Sequence, residues 1–270
     1  MNTDCFRAVA TGVLVCLLAS TALATWSDST LENNVVCEAV EDQSNPIATG
    51  DGAGGMIVVW EDDRSGNPDL YAQRVDAWGN ALWQTDGVAV CAAPDTQYSA
   101  RIAGDGSGGA IVVWQDFRSG TDYDIYAQRI DASGGAMWGS RVAVSSGLGD
   151  QDGAVLTYDG AGGAIIAWED HGSGAGGGDV YAQRIDSAGT ALWPGAVAVA
   201  VDTIGTRRSI GISSDGSGGA VLAWVDGGVL AARFDGTGTE VWSSPGYVVG
   251  GSGDHPAVMG DGFGGAIIAC

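Results

Sequence analysis

Apolar stretches and turn-forming residues alternate along this chain in a pattern that repeats about every 54 residues. One copy, residues 104–138, reads GDGSGGAIVVWQDFRSGTDYDIYAQRIDASGGAMW. Similar copies begin at Gly50, Tyr158 and Ser214, and a partial copy begins at Gly260. Self-similarity at a period of this length indicates a repeat architecture, in which one supersecondary unit is stacked several times.

Each repeat has the pattern of strands joined by turns. Residues 105–109, DGSGG, favour a tight turn because Asp and Gly tolerate positive φ. The apolar run 110–114 is typical of a buried strand, and residues 124–130 and 136–144 predict two further strands. A fourth strand precedes each DG turn, and no helix is predicted. The sequence therefore predicts an all-β fold: a β-propeller of four-stranded antiparallel blades, present as an incomplete arc of four full repeats and a partial fifth.

The short loop of the fourth repeat predicts how the strands pair. As a two-residue hairpin turn at 227–228, it opposes Asp226 to Val229 and Trp224 to Ala231. The same register opposes the equivalent Trp residues to Ala and places a repeated Arg diagonally beside each ring, within reach of a cation–π contact. These arginines are Arg74, Arg129, Arg184 and Arg233. A repeated glutamine is predicted to hydrogen-bond to the neighbouring blade; its copies are Gln73, Gln128 and Gln183.

Eight of the ten tryptophans occupy two repeat positions and are interpreted as structural. The first set lies in the apolar strands: Trp60, Trp114, Trp168 and Trp224. The second set closes each repeat: Trp83, Trp138, Trp193 and Trp242. Because an indole buries roughly 150–250 Å², both sets are predicted to pack between blades.

The chain divides into a predicted secretory signal at 1–24, a polar lead-in at 25–35 and propeller repeats at 36–270. Arg7, an apolar run and Ala22-Leu23-Ala24 form the signal pattern, so the product is predicted to be secreted, without a transmembrane segment after cleavage. The repeats are placed at about 36–90, 91–144, 145–199, 200–249 and, partially, 250–270. Residues from Val36 are expected to supply the last strand of a preceding unit. The break inside the fifth repeat indicates a piece of a longer protein.

Charge and cysteine content limit the classes of partner and chemistry that this chain can have. The chain has 33 acidic and 11 basic residues, no lysine, and a formal net charge of −22. Phosphates would be repelled, so nucleic acid is excluded as a partner. Cys37 and Cys91 hold the same repeat position 54 residues apart, too far to bridge between neighbouring units, and are interpreted as small buried apolar residues.

The repeats differ most in the loop after the apolar strand. Between the flanking strands these loops contain 7, 8, 9 and 2 residues in the four repeats. Variable loops on a constant scaffold are the usual place for recognition, so this edge is predicted to bind a protein or a glycan. The candidate ligand-binding residues are Arg64, Asp69, Arg118, Asp122, His171 and Asp179.

The same loops carry a candidate calcium site, and no other cofactor is expected. Carboxylate oxygens suit Ca²⁺, although the complete D-x-D-x-D-G loop is absent. Exposed acids or Arg–Asp pairs are the alternative interpretation. The candidate metal ligands are Asp62, Asp63, Asp116 and Asp124.

The segments YAQRVDAWGNALW (71–83), YAQRIDASGGAMW (126–138) and YAQRIDSAGTALW (181–193) resemble the tryptophan-docking motif of quinoprotein-like β-propellers. The whole repeat, with DGxGGAIxxW and DIYAQRID, also resembles repeats of secreted bacterial proteins. The resemblance implies blade architecture rather than an activity. Quinoprotein chemistry is not transferred, because the chain has no adjacent cysteine pair.

Three functions stay open from the sequence. The favoured one is a non-catalytic extracellular binding module. The second is a propeller glycoside hydrolase or lyase, for which adjacent acids such as Glu61/Asp62 and Glu169/Asp170 could supply acid–base chemistry. The third is a calcium-stabilised adhesion module. An enzyme is the less favoured interpretation because these acids recur by repetition, whereas an active site usually breaks a repeat.

Overall fold

The structure, a computed structural model, describes residues 34–172, 178–201, 208–242, 247–250 and 255–269. The predicted signal segment lies outside these residues. Every regular element in the described ranges is a β-strand, and the predicted all-β, propeller-like fold of four-stranded antiparallel sheets is confirmed.

The first two sheets follow the chain in simple up-and-down order. The first contains β1 (Gln43–Gly50), β2 (Met56–Asp62), β3 (Asp69–Val75) and β4 (Val88–Cys91). The second contains β5 (Gln97–Gly104), β6 (Ala110–Asp116), β7 (Asp124–Ile130) and β8 (Val142–Ser145). All neighbours are antiparallel, as the short turns between them require.

The later sheets repeat this order. The third contains β9 (Gln151–Tyr158), β10 (Ala164–Asp170), β11 (Asp179–Ile185) and β12 (Val197–Ala200). The fourth contains β13 (Arg208–Ser214), β14 (Ala220–Val225), β15 (Val229–Phe234) and β16 (Tyr247–Gly250). The described part of the fifth is a hairpin of β17 (Ala257–Gly260) and β18 (Ala266–Ala269).

The core lies between successive sheets. The first strands of neighbouring sheets are adjacent, with β1 beside β5, β5 beside β9, β9 beside β13 and β13 beside β17. Apolar clusters fill the spaces between the first and second, second and third, and third and fourth sheets. Trp114 and Trp168 lie in these layers at 0% and 1% exposure. Indole rings therefore fill the interior between the sheets, where dense packing stabilises the stack.

The predicted strand register is wrong by one residue. In the fourth sheet Val225 opposes Val229 and Trp224 opposes Leu230, so the turn contains three residues rather than two. In the other sheets Trp60, Trp114 and Trp168 oppose tyrosines, with ring centroids 6.3–6.5 Å apart. Loop length alone did not distinguish the two registers, and a one-residue slip changes every cross-strand pair.

The DG turns and the turns after β3, β7, β11 and β15 form one edge of the sheets, here called the turn edge. In the first sheet, Asp51 Oδ1 accepts the backbone N–H groups of Ala53 and Gly55, both at 2.8 Å. A Cβ on Gly55 would lie 2.2 Å from the carbonyl oxygen of Val75, so this position requires glycine. The same close approach recurs at Gly109, Gly163 and Gly219.

The repeated arginines stabilise the turn edge through ion pairs, and the prediction of cation–π contacts with Trp is wrong. Arg129 contacts Asp105 of its own sheet at 2.8 Å and donates to the Ser187 carbonyl of the next sheet at 3.2 Å. Arg74 and Arg184 make the equivalent contacts, with Asp51 and Ala132 and with Asp159 and Gly236. With one residue of register shift, the guanidinium faces the turn carboxylate instead of the ring.

The closing tryptophans link each sheet to the next one. Trp83, Trp138 and Trp193 donate from Nε1 to turn carbonyls of the following sheet at 3.0–3.2 Å. The repeated glutamines act within their own sheets: Gln73 Nε2 donates to the Gln84 carbonyl and its Oε1 accepts from the Trp83 backbone. The prediction that these glutamines bond to a neighbouring blade is therefore wrong.

The segment before β1 also differs from expectation. Residues 34–42 form no strand, although the sequence from Val36 aligns with β4. A β4-type strand needs a β3-type neighbour, and the described residues place none beside this segment. The segment instead contacts the first sheet, where Glu38 donates its backbone N–H to Asp86 Oδ1 at 2.7 Å.

Candidate functional site

The edge opposite the turn edge, here called the loop edge, consists of the loops after β2, β6, β10 and β14 and the links between sheets. In the second sheet, Arg118 forms an ion pair with Asp116 at this edge. Its Nε donates to Asp116 Oδ1 at 2.8 Å, its Nη2 also contacts Oδ2, and its guanidinium lies 3.9 Å over the Tyr126 ring. Trp114 Nε1 donates to Asp116 Oδ2 at 2.8 Å. The first sheet repeats this arrangement with Trp60, Asp62, Arg64 and Tyr71.

Cys37 and Cys91, the two cysteines within the described ranges, belong to this arrangement as free thiols. Arg64 and Arg118 each donate to a sulfur at 3.4 Å, Cys37 and Cys91 respectively. Burial raises the pKa of the Cys91 thiol above its usual value, which makes it a structural thiol rather than a reactive thiolate.

The acids at the loop edge divide into two kinds. Burial alone would raise the pKa of Asp62, but hydrogen bonds from Arg64 and Trp60 outweigh it and hold that pKa below its usual value. Asp69 and Asp124 stand opposite Asp62 and Asp116 on the next strand. Burial, followed by the like charge of neighbouring aspartates, raises the pKa of Asp124. Burial also raises the pKa of Asp69, partly offset by the Ser65 hydroxyl.

The predicted ligand residues of the first two sheets are thus engaged with their own sheets. Arg64 and Arg118 have side-chain exposures of 20% and 26% and hold buried carboxylates. Asp122 accepts from the Thr121 hydroxyl at 2.8 Å and from the Gly149 backbone at 3.1 Å. The proposed calcium ligands Asp62 and Asp116 already bind Arg and Trp donors, so calcium binding there stays a prediction.

The third sheet departs from this arrangement. Gly172 stands where the first two sheets have Arg64 and Arg118, and His171 stands where they have Asp63 and Phe117. Asp170 Oδ1 accepts from the backbone of Gly172 at 2.9 Å, as its equivalents accept from the arginine backbones, but this position carries no guanidinium. Trp168 Nε1 is buried and has no hydrogen-bond partner among the described residues. The same repeat position therefore has a different chemistry in the third sheet.

Beside this change lies a group of three potential metal ligands. Asp152 on β9 opposes Glu169 on β10, and His171 follows β10. One ligand atom from each lies within 4.8 Å of the others, and His171 Nε2 is 3.1 Å from Asp152 Oδ1. Asp170, adjacent to Glu169, points to the other face of the strand. The adjacent Glu169/Asp170 pair is therefore not a facing pair, whereas Asp152 and Glu169 are.

An aromatic cluster lies next to this group. Tyr123 contacts Tyr98 edge-on, with ring centroids 5.0 Å apart, and Phe117 at 4.8 Å. All three rings are partly exposed. Burial, then a hydrogen bond with Tyr123 and the charges of Asp152 and Asp150, raises the pKa of Tyr98. The backbone N–H of Tyr123 donates to Asp150 Oδ1 at 3.0 Å, so the aromatic cluster and these acids are neighbours on one surface.

Sequence reasoning selected His171 at this surface but missed Asp152 and the aromatic cluster. The available signal was departure from the repeat. Where Phe117 stands, the first sheet has Asp63, and where Asp152 stands it has Ser44. Asp179 begins β11 opposite Asp170, on the same edge as His171.

No protein-family model and no curated protein sequence matches this chain. Solved structures with a similar fold include an endo-arabinase from Bacteroides thetaiotaomicron, at 12% identity and a TM-score of 0.44, covering 79% of this chain and 81% of that one. A putative glycoside hydrolase from Parabacteroides distasonis has 14% identity and a TM-score of 0.40, covering 85% and 86%. Because these TM-scores are below 0.5, the likeness carries no conclusion about activity or substrate.

Within the described part of the chain, no helix is long and apolar enough to cross a bilayer.

Proposed function

We propose that this chain is a non-catalytic, exported scaffold that binds a glycan at the loop edge between the second and third sheets. The observation that carries the proposal is the aromatic cluster of Phe117, Tyr123 and Tyr98 beside the carboxylates of Asp150 and Asp152. Aromatic faces bury the apolar side of a sugar ring, and carboxylates accept hydrogen bonds from its hydroxyl groups.

The contrast between the two edges supports this location. On the turn edge the repeated carboxylates accept backbone and guanidinium donors of the fold itself. A surface whose polar groups are already paired internally offers less to a ligand. On the loop edge the rings and acids at the second and third sheets break the repeat, as a single recognition site would.

A glycan array tests the proposal, with a protein-binding screen run in parallel. Phe117→Asp inserts the residue of the first sheet, so the fold should tolerate it, and we expect glycan affinity to fall at least about tenfold. Trp78→Ala removes an aromatic that is 44% exposed on the turn edge and is the matched control. Unchanged binding in Phe117→Asp, or loss in Trp78→Ala, would contradict this location. Capture of a protein without any glycan would assign a protein-binding module.

A glycoside hydrolase is the second candidate, and the facing pair of Asp152 and Glu169 is the observation in its favour. Two carboxylates on opposite sides of a glycosidic bond are the usual catalytic arrangement. Hydrolysis of an array-positive glycan by the parent chain but not by Glu169→Gln would convert the binding site into an active site. An intact glycan after prolonged incubation supports the scaffold.

A further inference from the structure

We propose that Asp170, Tyr181 and Ser145 form a binding site for the guanidinium group of an arginine-bearing ligand. This inference goes beyond glycan binding and does not depend on it. The site, here called the guanidinium site, lies at the loop edge of the third sheet, where Gly172 replaces the arginine of the first two sheets.

The second sheet shows how its own guanidinium is bound. The guanidinium carbon of Arg118 lies 3.9 Å from the centroid of the Tyr126 ring, and Nε donates to Asp116 Oδ1 at 2.8 Å. Its Nη2 also donates to Cys91 Sγ at 3.4 Å. The first sheet repeats all three contacts. Two sheets therefore hold a guanidinium with a carboxylate, an aromatic ring and a third acceptor.

The third sheet keeps a group of each kind at the same positions. Asp170 ends β10, and Tyr181 on β11 opposes Trp168, as the equivalent tyrosines oppose tryptophan in both preceding sheets. Ser145 ends β8 as Cys91 ends β4, so a hydroxyl takes the place of the thiol as the third acceptor. Residues 171–179 contain no arginine or lysine. The third sheet therefore has the acceptors of the site without the cation.

A buried donor without a partner points into this site. Trp168 is 1% exposed, and its Nε1 has no hydrogen-bond partner among the described residues. Its ring lies 6.3 Å from that of Tyr181 at 24°, and the pair in the second sheet has 6.4 Å and 24°. The two indoles therefore have the same orientation, and the equivalent Trp114 N–H donates to Asp116 at 2.8 Å. The Trp168 N–H is thus aimed at the position that such a carboxylate occupies.

The hydrogen bonds of the indole N–H groups follow the presence of arginine. Both sheets with arginine in the loop bond their indole to the carboxylate. The fourth sheet has no arginine in its short loop, and Trp224 Nε1 also lacks a partner among the described residues. We infer that the guanidinium fixes the carboxylate where the indole N–H reaches it.

The Asp170 carboxylate is available for the same role. Its Oδ1 accepts from the Gly172 backbone at 2.9 Å, the only hydrogen bond to this carboxylate within the described ranges. A Cβ on Gly172 would meet no atom within 4 Å, so the neighbouring space is open. A bound guanidinium would pair with Asp170 and draw it towards Trp168, which would satisfy the buried N–H.

The groups of the site favour a guanidinium over an ammonium ion. A guanidinium is planar, stacks on an aromatic face and binds a carboxylate through two N–H groups, whereas an ammonium is compact and strongly hydrated. The net charge of −22 attracts cationic ligands to the chain. In the fourth sheet Leu230 opposes Trp224, so no aromatic face is present. We therefore expect one guanidinium site in the described part of the chain.

NMR of the indole N–H groups in the full chain tests the proposal. The probes are methylguanidine and a Gly-Gly-Arg-Gly-Gly peptide with blocked ends, and Trp168→Phe assigns the resonance. We expect the Trp168 resonance to shift and that of Trp114 to stay, because Arg118 already occupies the second sheet. A response to both probes indicates a site for free guanidinium compounds, and a response to the peptide alone indicates an arginine of a partner chain. No shift at Trp168 with either probe would overturn the site.

Two further peptides test the class of ligand. Citrulline has nearly the shape of arginine without its charge, and the citrulline peptide should bind at least about tenfold more weakly than the arginine peptide. The lysine peptide should also bind more weakly, because it lacks the planar fork. Equal binding of the citrulline and arginine peptides, or tighter binding of the lysine peptide, would overturn the assignment.

Variants locate the site, with circular dichroism melts to confirm that each is folded. Asp170→Asn should weaken binding of the arginine peptide at least about tenfold. Gly172→Arg supplies the cation from the chain itself and should abolish the response. Asp63→Asn is the matched control, because it removes the same charge from the loop edge of the first sheet. Parent affinity in Asp170→Asn, or a loss confined to Asp63→Asn, would overturn the site.

Arg118→Gly is the converse test, because it removes the guanidinium that the second sheet supplies. The Trp114 resonance should then shift with methylguanidine as that of Trp168 does. A folded Arg118→Gly chain whose Trp114 resonance ignores the probe would contradict the role given to the arginine. Because no glycan is present in these titrations, their failure leaves the glycan proposal intact, and the reverse also holds.

Discussion

The second and third sheets have nearly the same strands but opposite chemistry at the loop edge. In the second sheet, the buried carboxylate of Asp116 accepts from both Arg118 and Trp114. In the third, Gly172 replaces the arginine, so Asp170 keeps only the backbone hydrogen bond at this position, and Trp168 Nε1 has no partner among the described residues. The comparison teaches that one substitution in a repeat changes a closed structural edge into an open one, where other groups can gather.

The strongest test of this difference between the two sheets is to remove the two equivalent aspartates, Asp116 and Asp170. Asp116→Ala leaves the Trp114 N–H buried and the Arg118 charge unpaired, so we expect a loss of about 3 kcal/mol in the free energy of unfolding. Asp170→Ala should cost less than about 1 kcal/mol. Urea denaturation measures both. Equal losses in the two variants would show that the sheets do not differ as described.

The indole rings give the next largest difference. Trp114→Phe removes a hydrogen bond to a carboxylate, whereas Trp168→Phe removes an N–H that has no partner among the described residues. Both lose similar ring area, so Trp114→Phe should cost about 1.5–3 kcal/mol more than Trp168→Phe. Paired urea titrations check this difference. A larger loss for Trp168→Phe would indicate that its N–H has a partner outside the described residues.

The smallest expected effect concerns pH. Because burial raises the pKa of Asp124 in the folded chain, the unfolded chain loses this proton at a lower pH. Stability therefore falls as pH rises from the ordinary Asp value, about 3.9, through the raised value. Asp124→Asn should remove this loss and stabilise the chain at neutral pH but not below pH about 4.

Asp122 provides a control, because its pKa is shifted in the opposite direction from that of Asp124. A hydrogen bond from Thr121 lowers its pKa, so its contribution is present above the ordinary value and is lost as pH falls. Asp122→Asn should therefore cost stability at neutral pH and little in acid. Urea midpoints measured from about pH 3 to pH 7, a range that covers the titration of aspartate carboxyls, test both variants. Parallel pH profiles for the two would contradict the opposite signs.

The repeat made much of the fold predictable. The apolar runs, the DG turns and the 54-residue period indicated four-stranded antiparallel sheets, because short turns and buried β-branched residues have few other solutions. The register in which the strands pair was harder to predict. A slip of one residue replaced Ala by Tyr opposite Trp114, and moved Arg129 from the ring to Asp105. Both registers satisfy the apolar pattern of β6, so only the contacts of whole side chains distinguished them.

The candidate site was predictable only in part. His171 was visible as a break in the repeat, but its neighbours were not, because Asp152 and Tyr98 lie on the first strands of two sheets and meet it through packing. The adjacent acids Glu169 and Asp170 appeared as a pair in the sequence. On a strand they point to opposite faces, and the facing partner of Glu169 is 17 residues earlier, on β9.

By itself, the sequence determined the strand content, the turns and the stacking of repeated sheets, because these depend on local conformational preference and on an apolar period that recurs in every repeat. The tertiary structure decided which carboxylates are buried with arginine and which face each other, because those relations depend on register and on contacts between sheets. The distribution of charge at the loop edge therefore depends on how the strands and sheets assemble. Asp116 forms an ion pair with Arg118 of its own sheet, whereas Asp152 and Glu169 face each other across two strands.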